Sequence, residues 1–130
     1  MKILVGYNGG DVGDRALMLA RDYAKAVNAS VVIMTSMLGG SSETENDIQE
    51  AARGLEYGRK IMEDAGLECS VSQSVRGLSP GEDIVNYARE KAMDHIFLGI
   101  KKKSKTQKMI LGSTSRFVIL KAHCPVTTIK

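Results

Sequence analysis

A lysine-rich segment between two glycines is the part of this sequence whose residue types most clearly predict chemistry. The apolar run 96–98 ends at Gly99, five lysines and no acid follow between positions 101 and 108, and Gly112 then precedes the Ser-Thr-Ser triplet 113–115. Glycine lets the backbone approach a ligand closely, and the free N–H groups at a helix start favour phosphate. Because the whole chain carries a formal net charge of only +3, these lysines supply all of its positive excess. The segment predicts an anion site, for which a nucleotide polyphosphate is the simplest ligand.

The composition is typical of one domain, which we assign to residues 1–130. A chain of 130 residues with 43% hydrophobic content can bury a real core, whereas two domains would each be small. No apolar run reaches the roughly 18 residues of a membrane-spanning helix, and the apolar segment 3–5 is too short for a secretory signal. We therefore expect a cytoplasmic protein with no membrane partner. Cys69 and Cys124 have no cysteine partner nearby in the sequence, which favours reduced thiols.

Strand-like and helix-like patterns alternate along the chain. Continuous apolar runs predict buried strands at 2–7, 31–34 and 95–98, an alternating pattern predicts an edge strand at 68–75, and 125–129 is predicted to be the last strand. Helical spacing predicts helices at about 11–27, 48–65, 79–92 and around 117–120. Right-handed crossovers then predict an α/β fold: a single doubly wound, flavodoxin-like domain with a five-stranded parallel sheet of order 3-2-1-4-5 and helices on both faces.

This strand order predicts where a ligand binds. In doubly wound sheets, ligands bind beyond the carboxyl ends of the strands, at the point where the winding direction reverses. Strands one and four flank that point, and they end at Tyr7-Asn8 and Leu98-Gly99. The predicted anion site and the ligand crevice of the fold therefore coincide.

The sequence resembles the universal stress protein family, whose nucleotide-binding members carry Gly, two residues, Gly, nine residues, Gly and then Ser or Thr. Gly99, Lys102, Gly112 and Ser113 stand at those four positions, with the spacing intact and lysine in place of the second glycine. The resemblance covers the whole chain, since the segments 2–10, 77–84, 94–99 and 123–126 are also similar to the family. It implies a dimeric module that acts in stress response or signalling.

The resemblance also implies the residues that bind the nucleotide. Asn8 matches an aspartate near the ribose and adenine, and its side chain retains an acceptor oxygen. Ser36 matches a position at the end of the second strand. The expected ligand is ATP or a related adenine nucleotide, with Mg or Mn carried on the phosphates and no metal held by the protein itself. The residues expected to bind it are Gly6, Tyr7, Asn8, Ser36, Leu98, Gly99, Lys102, Gly112, Ser113 and Thr114.

Lys102 is the position at which this sequence departs from the family motif. A lysine in a backbone conformation that favours glycine costs about 1 kcal/mol. A charged hydrogen bond from its ammonium group to phosphate contributes roughly 1.5–3 kcal/mol. The balance favours binding.

Several alternatives stay open at this stage. The lysine run is also typical of a solvated loop, and a nucleotide-free dimeric interaction protein of the same family is the alternative function. Nucleic acid is not expected as a partner, because no aromatic residues interleave with the lysines to stack bases. The segment 8–11, Asn-Gly-Gly-Asp, is similar to the phosphate loop of ATP pyrophosphatases that form acyl-adenylates, but it lacks the preceding serine. Local spacing assembles no Ser-His-Asp or Cys-His arrangement, so we expect no enzyme beyond slow ATP hydrolysis.

The last strand predicts a way to dimerise. A strand at a sheet edge presents unpaired backbone groups, which can pair with a second copy about a two-fold axis. The resemblance implies the same arrangement, an antiparallel homodimer through Val126 to Ile129.

Overall fold

A computed structural model describes residues 1–100 and 111–130, which form a parallel sheet covered by helices on both faces. The strand order is β3-β2-β1-β4-β5 and every strand pair is parallel, which confirms the predicted topology. In chain order the elements are β1 (Lys2–Gly6), α1 (Gly10–Val27), β2 (Ser30–Met37), a 3₁₀ turn (Gly40–Ser42), α2 (Glu45–Asp64), β3 (Cys69–Val75), α3 (Pro80–Glu90), β4 (His95–Gly99), α4 (Ser113–Lys121) and β5 (Val126–Ile129).

The sheet has a hydrophobic core on each face. Ile3 and Val5 point to the face covered by α1 and α2, where Leu17 and Leu55 pack against them. Leu4 points to the opposite face, into the core formed with α3 and α4. All three β1 side chains are fully buried, as expected for a central strand in a parallel sheet.

The register brings the carboxyl ends of the three inner strands to the same edge of the sheet. Gly6, the last residue of β1, lies opposite Met34 of β2 and Leu98 of β4. The strands β2 and β3 continue further, so that Ser36 lies opposite Ser74. The chain therefore leaves β1, β2 and β4 on the same edge of the sheet, where α1 and α4 begin.

The outer strand β3 departs from the alternation that the sequence predicts. The pattern placed Ser74 on the solvated face and Val75 with the apolar residues, but Ser74 is buried and Val75 is 55% exposed. This part of the prediction was wrong because Ser74 hydrogen-bonds a buried carboxylate on α3, Asp83. A polar partner from a distant element therefore decides which face of the strand is buried at its end.

The helix ends follow local capping rules. Thr44 and Asp47 form a reciprocal capping box at the start of α2, in which each side chain accepts a hydrogen bond from the other residue's N–H group. Asn28 ends α1 in the left-handed conformation, as the sequence predicts. Within residues 1–100 and 111–130, none of the helices has both the length and the apolar character needed to cross a bilayer.

Candidate functional site

The ends of β1, β2 and β4 and the starts of α1, α3 and α4 enclose a cavity of about 270 Å³. This volume is close to the lower end of the range for small-molecule sites, about 300–1,000 Å³. Nine of the ten residues named from the sequence line it, and the tenth, Lys102, lies outside the described residues. The nine are Gly6, Tyr7, Asn8, Ser36, Leu98, Gly99, Gly112, Ser113 and Thr114.

Further residues line the cavity that the sequence analysis did not single out. They lie on β2 or at the N-terminal ends of α1, α3 and α4: Gly9, Val12, Gly13, Met34, Pro80, Ile84 and Ser115. Pro80 and Ile84 are four residues apart, so the start of α3 presents them on one face. A proline in the first turn is typical of a helix start, but it carries no information on which side of the sheet the helix packs.

Two consecutive glycines set the approach of α1 to the cavity. Gly9 and Gly10 have φ values of 75° and 78°, which are unfavourable for residues with a side chain. Because this left-handed turn leads directly from β1 into the helix, the first turn of α1 lies at the edge of the sheet. Asn8, just before it, is exposed.

Close packing at Gly99 brings α1 and the end of β4 together. A Cβ atom at this position would lie 2.7 Å from Cγ1 of Val12 and 2.9 Å from the Val12 carbonyl oxygen. Both distances are too short, so only glycine permits this contact. The motif glycine therefore has a packing role, because it lets the α1 helix start next to the end of β4.

The start of α4 forms the opposite wall. The N-cap of this helix is Gly112, whose backbone is extended with φ −68° and ψ 164°. The helix begins one residue later at Ser113. Since Gly112 has no side chain to act as a cap, the N–H groups of the first turn have no intrahelical or side-chain acceptor from the cap residue.

The electrostatic character of this cavity comes from the backbone. Three helix N-termini, those of α1, α3 and α4, line it, and each carries a partial positive charge that favours anions. None of the described lining residues has a charged side chain, and none is a histidine or cysteine. A phosphate group in the cavity would therefore meet backbone N–H groups and hydroxyls, without a carboxylate among the described walls.

Tyr7 lines the cavity but its side chain is held in the core. The ring packs between the backbones of Gly13 and Gly54, where an added Cβ would lie 3.2 and 3.1 Å from ring carbons. Its hydroxyl donates a 2.7 Å hydrogen bond to Asp14 Oδ1. Burial, and then the Asp14 carboxylate, raise the pKa of the Tyr7 hydroxyl, which stays protonated. The side chain therefore fixes the end of β1 against α1.

Ser36 contacts a buried carboxylate, Asp83, behind the cavity wall, and this carboxylate pairs with the exposed Arg76. The Ser36 Oγ donates a 2.5 Å hydrogen bond to Oδ2 of Asp83, a carboxylate with no exposed surface. Arg76 approaches the other oxygen, with Nη2 2.6 Å and Nε 2.8 Å from Oδ1. Burial alone would raise the pKa of Asp83, but hydrogen bonds from Ser36, Ser74 and Arg76 outweigh it and hold that pKa below its usual value.

A second, larger groove of about 600 Å³ adjoins the cavity. It shares Tyr7, Asn8, Gly9 and Ser36 with the cavity, and α2 supplies acidic side chains on its outer side. Glu43 is engaged by the backbone, since it accepts hydrogen bonds from the N–H groups of residues 38 and 39 at 2.9 and 2.8 Å. Over the part of the chain that the structure describes, no group of three His, Cys, Asp or Glu side chains has an arrangement that would hold a metal ion.

The fold and the site together define a doubly wound α/β domain with a small-molecule cavity at the point where the winding reverses. The sequence model of the Universal stress protein family matches residues 1–130, and the chain belongs to that family. Universal stress protein MJ0531 of Methanocaldococcus jannaschii is 30% identical over 140 residues, which cover 99% of this chain and 81% of that protein. The family membership that the glycine motif indicated is confirmed.

Solved structures of the same family are also similar. A universal stress protein from Archaeoglobus fulgidus superposes with a TM-score of 0.88 at 36% identity, covering 100% of this chain and 93% of that one. A structure of the universal stress protein from Archaeoglobus fulgidus in complex with dAMP has a TM-score of 0.83 and 32% identity, over 99% of this chain and 96% of the other. An adenine nucleotide is thus the ligand in a similar family member.

Proposed function

We propose that this protein is a dimeric signalling module that binds an adenine nucleotide, with ATP as the preferred ligand, in the cavity between the ends of β1 and β4. One observation carries the proposal: the N-termini of α1 and α4 both line a cavity bordered by glycines and free of charged side chains among its described walls. Backbone N–H groups and helix dipoles bind phosphate without needing a catalytic side chain.

The cavity has one end suited to phosphates and another suited to a base. The first turn of α4 supplies N–H groups and the hydroxyls of Ser113 and Thr114 at the phosphate end. Met34 and Ile84 supply apolar surface at the other end, next to Ser36. The strands β2 and β4 lie two positions apart in the sheet, so their ends are separated by about 10 Å. A nucleotide would bridge this distance with its ribose near Asn8.

The comparison with Archaeoglobus fulgidus supports the class of ligand. The dAMP complex belongs to a protein with 32% identity to this chain over 99% of its length, which favours an adenine nucleotide here as well. The preference for ATP rests on the sequence, since five lysines between positions 101 and 108 favour a polyphosphate over a monophosphate. Mg or Mn would arrive on the phosphates.

We further infer that nucleotide occupancy, rather than turnover, is the output. The described walls offer no histidine, cysteine or carboxylate to activate a water molecule. His95, whose Nε2 lies 2.7 Å from Thr127 Oγ1, is at the amino end of β4, four residues before Gly99. Any hydrolysis would then be slow, and the protein would act through a partner that distinguishes its bound and free states.

The proposed homodimer forms through β5. In the portion described, β5 pairs with β4 on one side and with no strand on the other. The carbonyl oxygens of Pro125 and Ile129 accept hydrogen bonds from Ile96 on β4 and from Ile100 just after it, so the N–H group of Thr128 points to the free edge. The preceding helix exposes Ile119 by 42% and Leu120 by 71%, which adds apolar surface beside an edge suited to antiparallel pairing.

Calorimetric titration tests nucleotide binding directly. Mg-ATP is expected to give saturable heat and to raise the unfolding temperature, and mass spectrometry of protein purified without added nucleotide is expected to detect a co-purifying adenine nucleotide. No heat and no thermal shift at millimolar Mg-ATP would reject the proposal in favour of a nucleotide-free interaction protein. Light scattering after size exclusion measures the dimer independently of the ligand.

A further inference from the structure

A fully buried carboxylate lies directly behind the part of the cavity wall assigned above to the base. Asp83, on α3, has no exposed surface, and its Oδ2 accepts a 2.5 Å hydrogen bond from the Ser36 hydroxyl. The two residues are 47 positions apart in the chain. Ser36 lines both the cavity and the adjoining groove, whereas Asp83 lines neither. The Asp83 carboxylate therefore lies behind the wall and contacts the Ser36 hydroxyl, which lines the cavity.

The surroundings of Asp83 keep it ionised. Arg76 contacts Oδ1 through both Nη2 and Nε, and Glu90 lies on the other side of the same guanidinium at 3.1 Å. Hydrogen bonds from Ser36, Ser74 and Arg76 overcome the effect of burial on the pKa of Asp83, which lies below its usual value. An ionised carboxylate accepts hydrogen bonds and donates none.

This fixes the orientation of the Ser36 hydroxyl. A serine hydroxyl has one proton to donate and two lone pairs that accept. The Ser36 proton is directed to Asp83, so what remains available toward the cavity is an acceptor. A free serine would rotate to suit either a donor or an acceptor on a ligand, but Ser36 is restricted to ligands that donate.

We propose that Asp83 is a positioning residue that makes Ser36 an obligatory hydrogen-bond acceptor, and that the site thereby selects a purine with an exocyclic amino group over a purine with a carbonyl at the same place. The inference rests on the proposed function, in which the cavity holds the base of a purine nucleotide near Ser36. A carbonyl oxygen facing the Ser36 lone pairs would leave two acceptors opposed without a proton between them, which is costly because neither acceptor is paired.

AMP and IMP separate base recognition from phosphate binding. They carry the same ribose and phosphate, but at purine position 6 AMP has an amino group and IMP has a carbonyl. Dissociation constants for both nucleotides, measured by calorimetry, give a selectivity ratio for each variant. Wild-type protein is expected to prefer AMP by about tenfold or more, and Ser36→Ala to lower that ratio at least about fivefold.

Ser74→Ala is the matched control. Ser74 hydrogen-bonds the same carboxylate but lies on β3 and does not line the cavity. Its substitution removes a similar hydroxyl from the buried network, so it reports any general loosening of Asp83. The AMP-to-IMP ratio of this variant is expected to stay within about twofold of the wild-type ratio. A ratio that falls equally in both serine variants would overturn the proposal.

Asp83→Asn tests the polarity itself. The introduced amide offers an N–H group to the Ser36 oxygen, which frees the Ser36 proton to face the cavity. The preference for AMP over IMP is then expected to decrease or reverse. If the role of Asp83 were purely structural, the substitution would weaken the binding of both nucleotides equally. If this variant fails to fold, the serine pair still decides the question. An unchanged ratio in Ser36→Ala rejects the selectivity role alone, whereas wild-type protein that binds neither nucleotide rejects the proposed function and this inference with it.

Discussion

Replacing Ser113 with aspartate should weaken nucleotide binding without destabilising the fold. Ser113 is the first residue of α4, its side chain is exposed, and it lines the cavity at the proposed phosphate end. An acid in the first turn of a helix is favourable for the helix dipole, by about 0.3–1 kcal/mol. The same carboxylate would repel a bound phosphate. The substitution therefore separates stability from affinity, because it should stabilise the helix and weaken nucleotide binding.

The expected loss of affinity follows from the charge separation. Two unit charges about 5 Å apart at an effective dielectric constant of about 20 repel by about 3 kcal/mol. This repulsion corresponds to a roughly 100-fold larger dissociation constant, since about 1.4 kcal/mol changes the constant tenfold. The loss is expected to diminish at high ionic strength, because salt screens a partly exposed pair.

Calorimetric titration of Ser113→Asp with Mg-ATP measures the loss, and chemical denaturation measures the stability. Ser113→Asn is the control, because it has nearly the same shape without the charge and is expected to bind within about threefold of wild type. Wild-type affinity in a folded Ser113→Asp variant would refute the assignment of the phosphates to the start of α4.

Three further predictions concern the dimer, the packing of the site and its buried carboxylate. Thr128→Pro removes an N–H group from the free edge of β5 without breaking the β4 ladder, so it should convert a dimer to a monomer in light scattering. Gly99→Ala should lower the free energy of unfolding by about 1–3 kcal/mol in urea denaturation, because its Cβ would meet the Val12 backbone. The pKa of Asp83 is lower in the folded state, so its contribution to stability is complete above its unfolded pKa, near 3.9, and is lost as pH falls below that value toward the folded pKa.

Each of these predictions has a control. Thr127→Pro is the control for the dimer, because it would disrupt pairing with β4 and should destabilise the subunit itself. If Thr128→Pro gives a monomer only together with a similar loss of stability, the edge contact is not supported. For Gly99, unchanged stability on alanine substitution would contradict the close approach of α1. For Asp83, the difference in unfolding free energy between wild type and Asp83→Asn should be constant above about pH 5 and shrink below about pH 4. A difference independent of pH would contradict the ionised state.

Local patterns were sufficient to predict the fold. Continuous apolar runs at the positions of β1 and β2 indicated strands buried on both faces, and their alternation with helical spacing left few possible topologies. The glycine spacing from Gly99 to Gly112 and the polar residue after β1 then indicated the same edge of the sheet. The residues that the family resemblance implied line one cavity, except that Lys102 lies outside the described residues and its predicted role stays a prediction.

Those local patterns did not predict contacts between segments that are distant in the sequence. The hydrogen bond from Ser36 to Asp83 joins β2 to α3, and nothing in the spacing of either segment signals it. The burial of Ser74 follows from the same carboxylate, which explains why the alternation of β3 misled the assignment of its faces. Similarly, the role of Gly99 in packing against Val12 depends on where α1 lies in space. Such features are set by tertiary packing, which a local pattern does not encode.

The most direct test of the central claim is a map of backbone amide shifts by NMR during a titration with Mg-ATP. Binding in this cavity predicts saturable shifts at Gly99, Ser113, Thr114 and Asn8, with one dissociation constant shared by all four. Shifts that do not saturate, or that leave the amides at the start of α4 unchanged while another surface responds, would contradict the claim that this cavity is the nucleotide site.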